Sequence, residues 1–131
     1  MIAAIYAADN NASVTLFEKE KKLGRKIIAT GNGQCNISNQ NLDYKRYHGH
    51  NPKFMINVLS RYGLVETCAF FESIGIPFVE GKNGKLYPAS LQAQTVASFL
   101  EHAMRQRNVN IKLHRRIDYI TPAKNRYKVT T

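Results

Sequence analysis

The stretch "VTLFEKEKKLGRKIIATGNGQCNISN", Val14–Asn39, decides how this chain is read. A β-favouring run, Ser13–Phe17, carries Val14, Leu16 and Phe17 and stops at Glu18. Behind that acid come Lys19, Arg25 and Lys26, then Gly31-Asn32-Gly33 and Cys35-Asn36. In a dinucleotide-binding βαβ unit, an acid at the carboxyl end of the second strand accepts hydrogen bonds from the ribose, because two neighbouring hydroxyls match the two oxygens of one carboxylate. Glu18 stands where that acid would stand. Acids also end exposed strands that bind nothing, so Glu18 alone leaves both readings open. Its neighbours add to the first. Lys19, Arg25 and Lys26 suit a pyrophosphate, and Gly24, Gly31 and Gly33 let backbone amides approach a ligand where a side chain would block them. Gly31-x-Gly33 is not a phosphate fingerprint, and no Gly-x-x-x-x-Gly-Lys-Ser/Thr occurs, so P-loop chemistry is not expected.

Outward from this stretch the order of elements is α/β. Ile2–Ala8 is small and apolar on nearly every side, as in the last turns of a buried helix, and Asp9-Asn10-Asn11 stops it. Lys19–Asn51 reads as one long Gly-, Asn- and Ser-rich segment, a length that in compact domains marks a functional loop. Asn51-Pro52 opens a helix with Phe54, Met55, Val58, Leu59 and Tyr62 as its stripe. Leu64, Cys68, Phe71 and Ile74 give a second helix, ending at Gly75, with Cys68 as a core thiol. Ile76–Glu80 and Lys85–Tyr87 flank Asn83-Gly84, a hairpin signal. Ser90 caps a third helix carrying Ala93, Val96, Phe99, Leu100, Ala103 and Met104. Alternation over Val109–Leu113, Ile117–Tyr119 and Tyr127–Val129 predicts two or three half-buried strands. Strands that helices separate are expected to pair in parallel.

The 131 residues suit one domain, and the composition is that of a globular protein. Met1–Ala8 is too short to span a bilayer and has no cationic leader, so no membrane partner and a cytoplasmic location are expected. Cys35 and Cys68 form no Cys-x-x-Cys and are expected as reduced thiols. The formal charge of +10 favours anionic partners, but the cations are spread over several groups, a pattern more often solvated than gathered into one stripe. His48-x-His50 has metal-ligand spacing with no third ligand nearby, so no metal is expected. Cys35 has no His or acid beside it in sequence that would make it a nucleophile, and no catalytic residue is named.

Taken together, "VTLFEKEKKLGRKIIATGNGQCNISN", "GKLYPASLQAQTV" (Gly84–Val96) and "VNIKLHRRIDYI" (Val109–Ile120) resemble bacterial NAD(P)/FAD-dependent oxidoreductases of the aminoacetone-oxidase-like type. Members read Leu-Glu-Lys at the second strand, then Leu-Gly-Arg-Lys, Thr-Gly-x-Gly-Arg-Cys-Asn and Gly-Arg-x-Phe-Pro-x-Ser. The resemblance implies a flavoprotein with a Rossmann-like FAD-binding domain: a parallel sheet with helices, plus a β-hairpin and antiparallel strands. It implies that Glu18 binds the FAD ribose, that Arg25 and Lys26 lie at the diphosphate, that Gly33, Cys35 and Asn36 lie on the flavin side, and that the Ile117 backbone approaches the adenine. NAD(P)H would be the electron donor of the complete protein.

Gln34 departs from the family's Arg and gives up a fixed cation. In the family a first strand and a Gly-x-Gly-x-x-Gly turn precede the helix that Ile2–Ala8 would finish. The resemblance therefore casts these residues as a partial domain, a fragment with reduced affinity for FAD and an open sheet edge able to pair with a second copy. Two other readings stand beside it: a basic nucleic-acid-binding module, motivated by the charge and seven tyrosines, and a non-catalytic self-associating remnant. No helix-turn-helix or RNA-motif signature supports the former, and a nucleic-acid partner is not expected.

Overall fold

The computed structural model describes all residues, Met1–Thr131. The chain forms two compact units, one from Met1–Arg25 with Leu100–Thr131 and the other from Lys26–Phe99.

The first unit opens with helix α1 (Ile2–Asp9), which Asn10 and Asn11 end, Asn11 in the left-handed region at φ 62°. Strand β1 (Thr15–Phe17) follows. Its partner is β5 (Asn110–Lys112), paired in parallel with Thr15 opposite Asn110 and Phe17 opposite Lys112. Parallel pairing needs a long crossover, and the residues between the two strands include four of the chain's five α-helices. The core of this unit holds Ala4, Ile5, Leu23, Leu100, Ala103, Met104 and Val109. Asp9 Oδ1 accepts from Arg107 Nε at 2.6 Å and ties the end of α1 to the chain just before β5.

The second unit contains α2 (Arg25–Ala29, its first residue falling in the other unit), β2 (Ser38–Asn39), α3 (Phe54–Leu59), α4 (Leu64–Ser73), β3 (Phe78–Glu80) and β4 (Lys85–Pro88). Strands β2, β4 and β3 form an antiparallel sheet in that order. The Asn83-Gly84 hairpin is present, with Asn83 at φ 60° in a 3₁₀ turn. Glu66 Oε2 accepts from the Gly63 amide at 2.9 Å, satisfying a donor at the start of α4. Phe71, Ile76, Leu86, Ala93, Val96 and Ala97 are buried here.

Helix α5 (Ala93–Gln106) buries five of the six residues read as its stripe, Ala93, Val96, Leu100, Ala103 and Met104, together with Ala97, while the sixth, Phe99, is exposed. Near its start Ser90 Oγ accepts from the Gln92 amide at 3.3 Å. No helix is long and apolar enough to cross a membrane.

Four expectations need correction. The stripe Phe54, Met55, Val58, Leu59 and Tyr62 does not enter a core: α3 has no buried residue, and Phe54, Val58 and Tyr62 are exposed. The Lys19–Asn51 segment is not one loop: it holds α2, β2 and two 3₁₀ turns, Thr30–Gly33 and Tyr44–Arg46. The last strands, β6 (Tyr119–Ala123) and β7 (Arg126–Thr130), form a hairpin in which every residue is exposed rather than half-buried, and Ile117 precedes it outside any strand. Alternation in the sequence marks the strands but does not say what covers their faces. Helix α1 buries only Ala4 and Ile5; Ile2 and Tyr6 are exposed.

Candidate cofactor site

In the first unit, the candidate residues lie beyond the carboxyl ends of a parallel strand pair. The Glu18 amide donates to Lys112 O at 2.9 Å, and the Arg115 amide donates back to Glu18 O at 2.9 Å, extending the β1–β5 ladder past both strands. Glu18 is half-buried, and its Oε1 accepts from the Glu20 amide at 2.9 Å. That bond fixes the side chain in a short turn and occupies one oxygen, leaving Oε2 with no protein donor. Lys19 is exposed; Arg25 is exposed and pairs with Glu20, Nη1 to Oε1 at 3.1 Å. Ile117, 39% exposed, lies two residues past the amide that grips Glu18. The fold thus gathers Glu18, Lys19 and the approach to Ile117 at one strand end. In open α/β sheets this is where ligands bind, because loops leave the strands there and expose backbone groups.

In the second unit, the chain from Thr30 to Asn36 folds back on itself. Gly31, Asn32, Gly33 and Cys35 have φ of 55°, 53°, 83° and 60°, an unusual concentration of left-handed backbone. Thr30 Oγ1 donates to Ile27 O at 2.6 Å, the Gln34 amide to Gly31 O at 3.0 Å and the Cys35 amide to Thr30 O at 3.2 Å. These last two amides are therefore committed within the loop and do not serve a ligand. A Cβ on Gly31 would sit 3.0 Å from Asn36 N and 3.6 Å from Tyr87 Cε1, whereas one on Gly33 would meet nothing within 4 Å. Gly31 is thus required by the chain's own closure, and Gly33 presents bare backbone to open space. Cys35 is buried, a packed thiol, while Asn36 and Lys26 are exposed.

Sequence reasoning did not single out Tyr87 or the cleft around it. A Cβ on Gly81 would fall 2.8 Å from Tyr87 Cε2, so this half-buried ring packs against Gly81 as well as Gly31. The ring, with Gln34, Lys82, Lys85 and Leu91, lines an open cleft of about 600 Å³. The signal was present in the sequence, since Lys85-Leu86-Tyr87-Pro88 belongs to the second resembling stretch. No group of three or more His, Cys, Asp or Glu is placed to hold a metal ion, and His48 and His50 acquire no third ligand.

These residues fit a nucleotide cofactor in two respects: a half-buried carboxylate with one oxygen unclaimed at a parallel strand end, and an unobstructed glycine backbone in a tightly closed loop. The sequence pattern of the HI0933-like protein Rossmann domain matches residues 1–131. The chain belongs to the HI0933-like Rossmann domain family. Among curated relatives of this HI0933-like domain, a 3-dehydro-bile acid delta(4,6)-reductase of Clostridium scindens is 43% identical over 113 residues, 85% of this chain and 27% of that protein. A ribosomal RNA dihydrouridine synthase of Haemophilus influenzae is 28% identical over 129 residues, 98% of this chain and 32% of that protein. The ribosomal RNA dihydrouridine synthase of Escherichia coli is 28% identical over 113 residues, 86% of this chain and 28% of that protein. The HI0933-like chain thus spans about a quarter to a third of the length of these relatives.

Proposed function

We propose that residues 1–131 are part of the FAD-binding domain of a flavin-dependent oxidoreductase, with both compact units belonging to that one domain. The observation that carries this reading is the position of Glu18: its carboxylate stands just past a parallel strand pair in a chain whose whole length matches a Rossmann domain. In this reading Glu18 Oε2 accepts from the FAD ribose, and the exposed cations Lys19, Arg25 and Lys26 lower the cost of bringing a diphosphate near. Gly33 and Asn36 border the flavin side and the Ile117 backbone borders the adenine. Gly31 and Cys35 hold the loop in shape.

The flavin, when bound, supplies two-electron redox chemistry, and the protein supplies position and electrostatics. The names of the three relatives share one chemical theme: hydrogen is added across a carbon–carbon double bond in the neighbourhood of a carbonyl. We extend that theme to the protein carrying this domain, as reduction of a double bond conjugated with a carbonyl, with NAD(P)H as the electron source and the cytoplasm as its location.

The test is a graft. Residues of this chain replace the matching 113-residue segment of the Clostridium scindens reductase, and the purified chimera is examined for flavin absorbance. The proposal expects a yellow protein whose flavin content falls at least tenfold on Glu18→Ala. A folded chimera that is colourless and ignores added FAD, beside a yellow parent, contradicts it.

A further inference from the structure

Helix α3 takes no part in the flavin reading, and it carries an apolar stripe that buries nothing. The Ser60 amide donates to Ile56 O at 2.9 Å and the Tyr62 amide to Val58 O at 2.8 Å, so helical turns run on past Leu59. Phe54, Val58 and Tyr62 therefore share one face at four-residue spacing, 59%, 39% and 57% exposed. At 1.5 Å per residue they make an apolar ridge about 12 Å long. Ile56 and, at the start of α4, Val65 are exposed as well. Lys53, Asn57 and Arg61 each precede one residue of the ridge and form a polar stripe alongside it, all three exposed. The 3₁₀ turn Tyr44–Arg46 packs against α3 and adds the exposed cations Lys45 and Arg46. From Tyr44 to Val65 there is no Asp or Glu. The acids at either end are turned onto backbone: Asp43 Oδ1 accepts from the Lys45 amide at 3.0 Å and Glu66 Oε2 from the Gly63 amide at 2.9 Å.

An apolar ridge bordered by four cations and no acid is complementary to a surface that is negative outside and apolar beneath, which is the face of an anionic bilayer. A second copy of this chain would bring the same four cations against these, in a molecule of formal charge +10. A nucleic acid would meet the cations and leave Ile56, Val58 and Val65 in water. The expectation of no membrane partner rested on the lack of a spanning segment, and a helix that lies in the plane of the interface needs none. We propose that the α3 face docks peripherally on an anionic lipid surface, with Phe54, Val58 and Tyr62 entering the headgroup layer and Lys45, Arg46, Lys53 and Arg61 meeting the lipid phosphates. The site goes beyond the flavin reading and is independent of it.

The experiment is co-sedimentation of the 131-residue chain, without flavin, with sucrose-loaded vesicles of phosphatidylcholine alone or with about one third phosphatidylserine. A cation at such a surface is worth about fivefold in affinity, so the mixed vesicles are expected to bind at least about tenfold more tightly than the neutral ones. That preference fades as salt is raised from about 0.1 to 1 M. The double change Lys53→Glu, Arg61→Glu removes the preference. Phe54→Ser with Tyr62→Ser weakens binding to the mixed vesicles about tenfold or more and leaves the salt dependence in place. The hairpin control Arg126→Ala, Lys128→Ala changes affinity less than about twofold, and circular dichroism confirms that each variant is folded. The proposal is overturned by absence of binding to the mixed vesicles at the lower salt, by wild-type affinity in either folded α3 variant, or by an equal loss in the hairpin control. It is also overturned if sedimentation without vesicles shows a dimer that Phe54→Ser, Tyr62→Ser dissociates, which would give the ridge to a second copy, or if the chain binds an oligouridylate and not the vesicles.

Discussion

Glu18 and Glu20 are joined by a hydrogen bond in which the Glu20 amide donates to Glu18 Oε1 at 2.9 Å. The acid proposed for the ribose is therefore also the residue that closes its own turn. This separates two substitutions. Glu18→Gln keeps a side-chain oxygen for the Glu20 amide and loses the charge; Glu18→Ala loses both. We expect Gln to leave the urea midpoint nearly unchanged and Ala to cost about 0.5–1.5 kcal/mol, the net worth of one hydrogen bond. Equal loss in both variants would show that charge, not the turn, is what stabilises.

The loop glycines give a second comparison. Alanine at Gly31 meets a left-handed backbone and an Asn36 amide 3.0 Å away, whereas alanine at Gly33 meets only the left-handed backbone. Each carries about 1–2 kcal/mol of conformational cost, and Gly31→Ala adds a steric one. Denaturant unfolding should rank Gly31→Ala as clearly the more destabilising. The reverse order would mean that the open side of Gly33 is filled in the folded protein.

Helix α5 supplies a packing test. Leu100 is 1% exposed in the core of the first unit. Leu100→Ala should cost about 2–5 kcal/mol, a large part of the roughly 5–15 kcal/mol that holds most domains together. A loss below about 1 kcal/mol in chemical denaturation would contradict the burial.

Cys68 should behave differently from a free cysteine. Burial raises the Cys68 pKa, and the Glu72 carboxylate raises it further. The fold thus favours the neutral thiol. Its contribution to stability is intact at low pH and declines as the pH climbs past the ordinary thiol range into the raised one. Alkylation of Cys68 by iodoacetamide, followed in a Cys35→Ser background, should have its pH midpoint above that of the unfolded chain. A midpoint at or below the unfolded value would refute the assignment.

Much of this was legible in the sequence because local chemistry and tertiary demand agree. The Asn83-Gly84 hairpin, the α5 stripe and the strand ending at Glu18 each follow from a period or a turn residue, and each is present. The parallel β1–β5 pair followed from the helices between the strands. Other features depend on distant partners. Strand β2 is two residues long, and only its ladder with β4 makes it a strand, so Ser38-Asn39 gave no local signal. The exposure of both faces of the β6–β7 hairpin could not be read from alternation, which reports pleat and not cover. At the candidate site, the acid, the cations and the glycines were visible as residue types. The capture of Glu18 Oε1 by Glu20, and the self-bonding of the Gln34 and Cys35 amides, were not, because they depend on turn geometry that side-chain identity leaves open.

The central claim is that the carboxylate of Glu18, at the end of a parallel strand, serves a nucleotide cofactor, and amide chemical shifts test it on the chain as it stands even when affinity is low. The measurement is a two-dimensional nitrogen-15 NMR titration with FAD to millimolar concentration, repeated with Glu18→Gln. The account predicts saturable shifts at Glu18–Glu20, Gly33–Asn36 and Ile117, none in the β6–β7 hairpin, and loss of the Glu18–Glu20 response in the variant. Shifts confined to other surfaces, or none at the highest concentration, would contradict it.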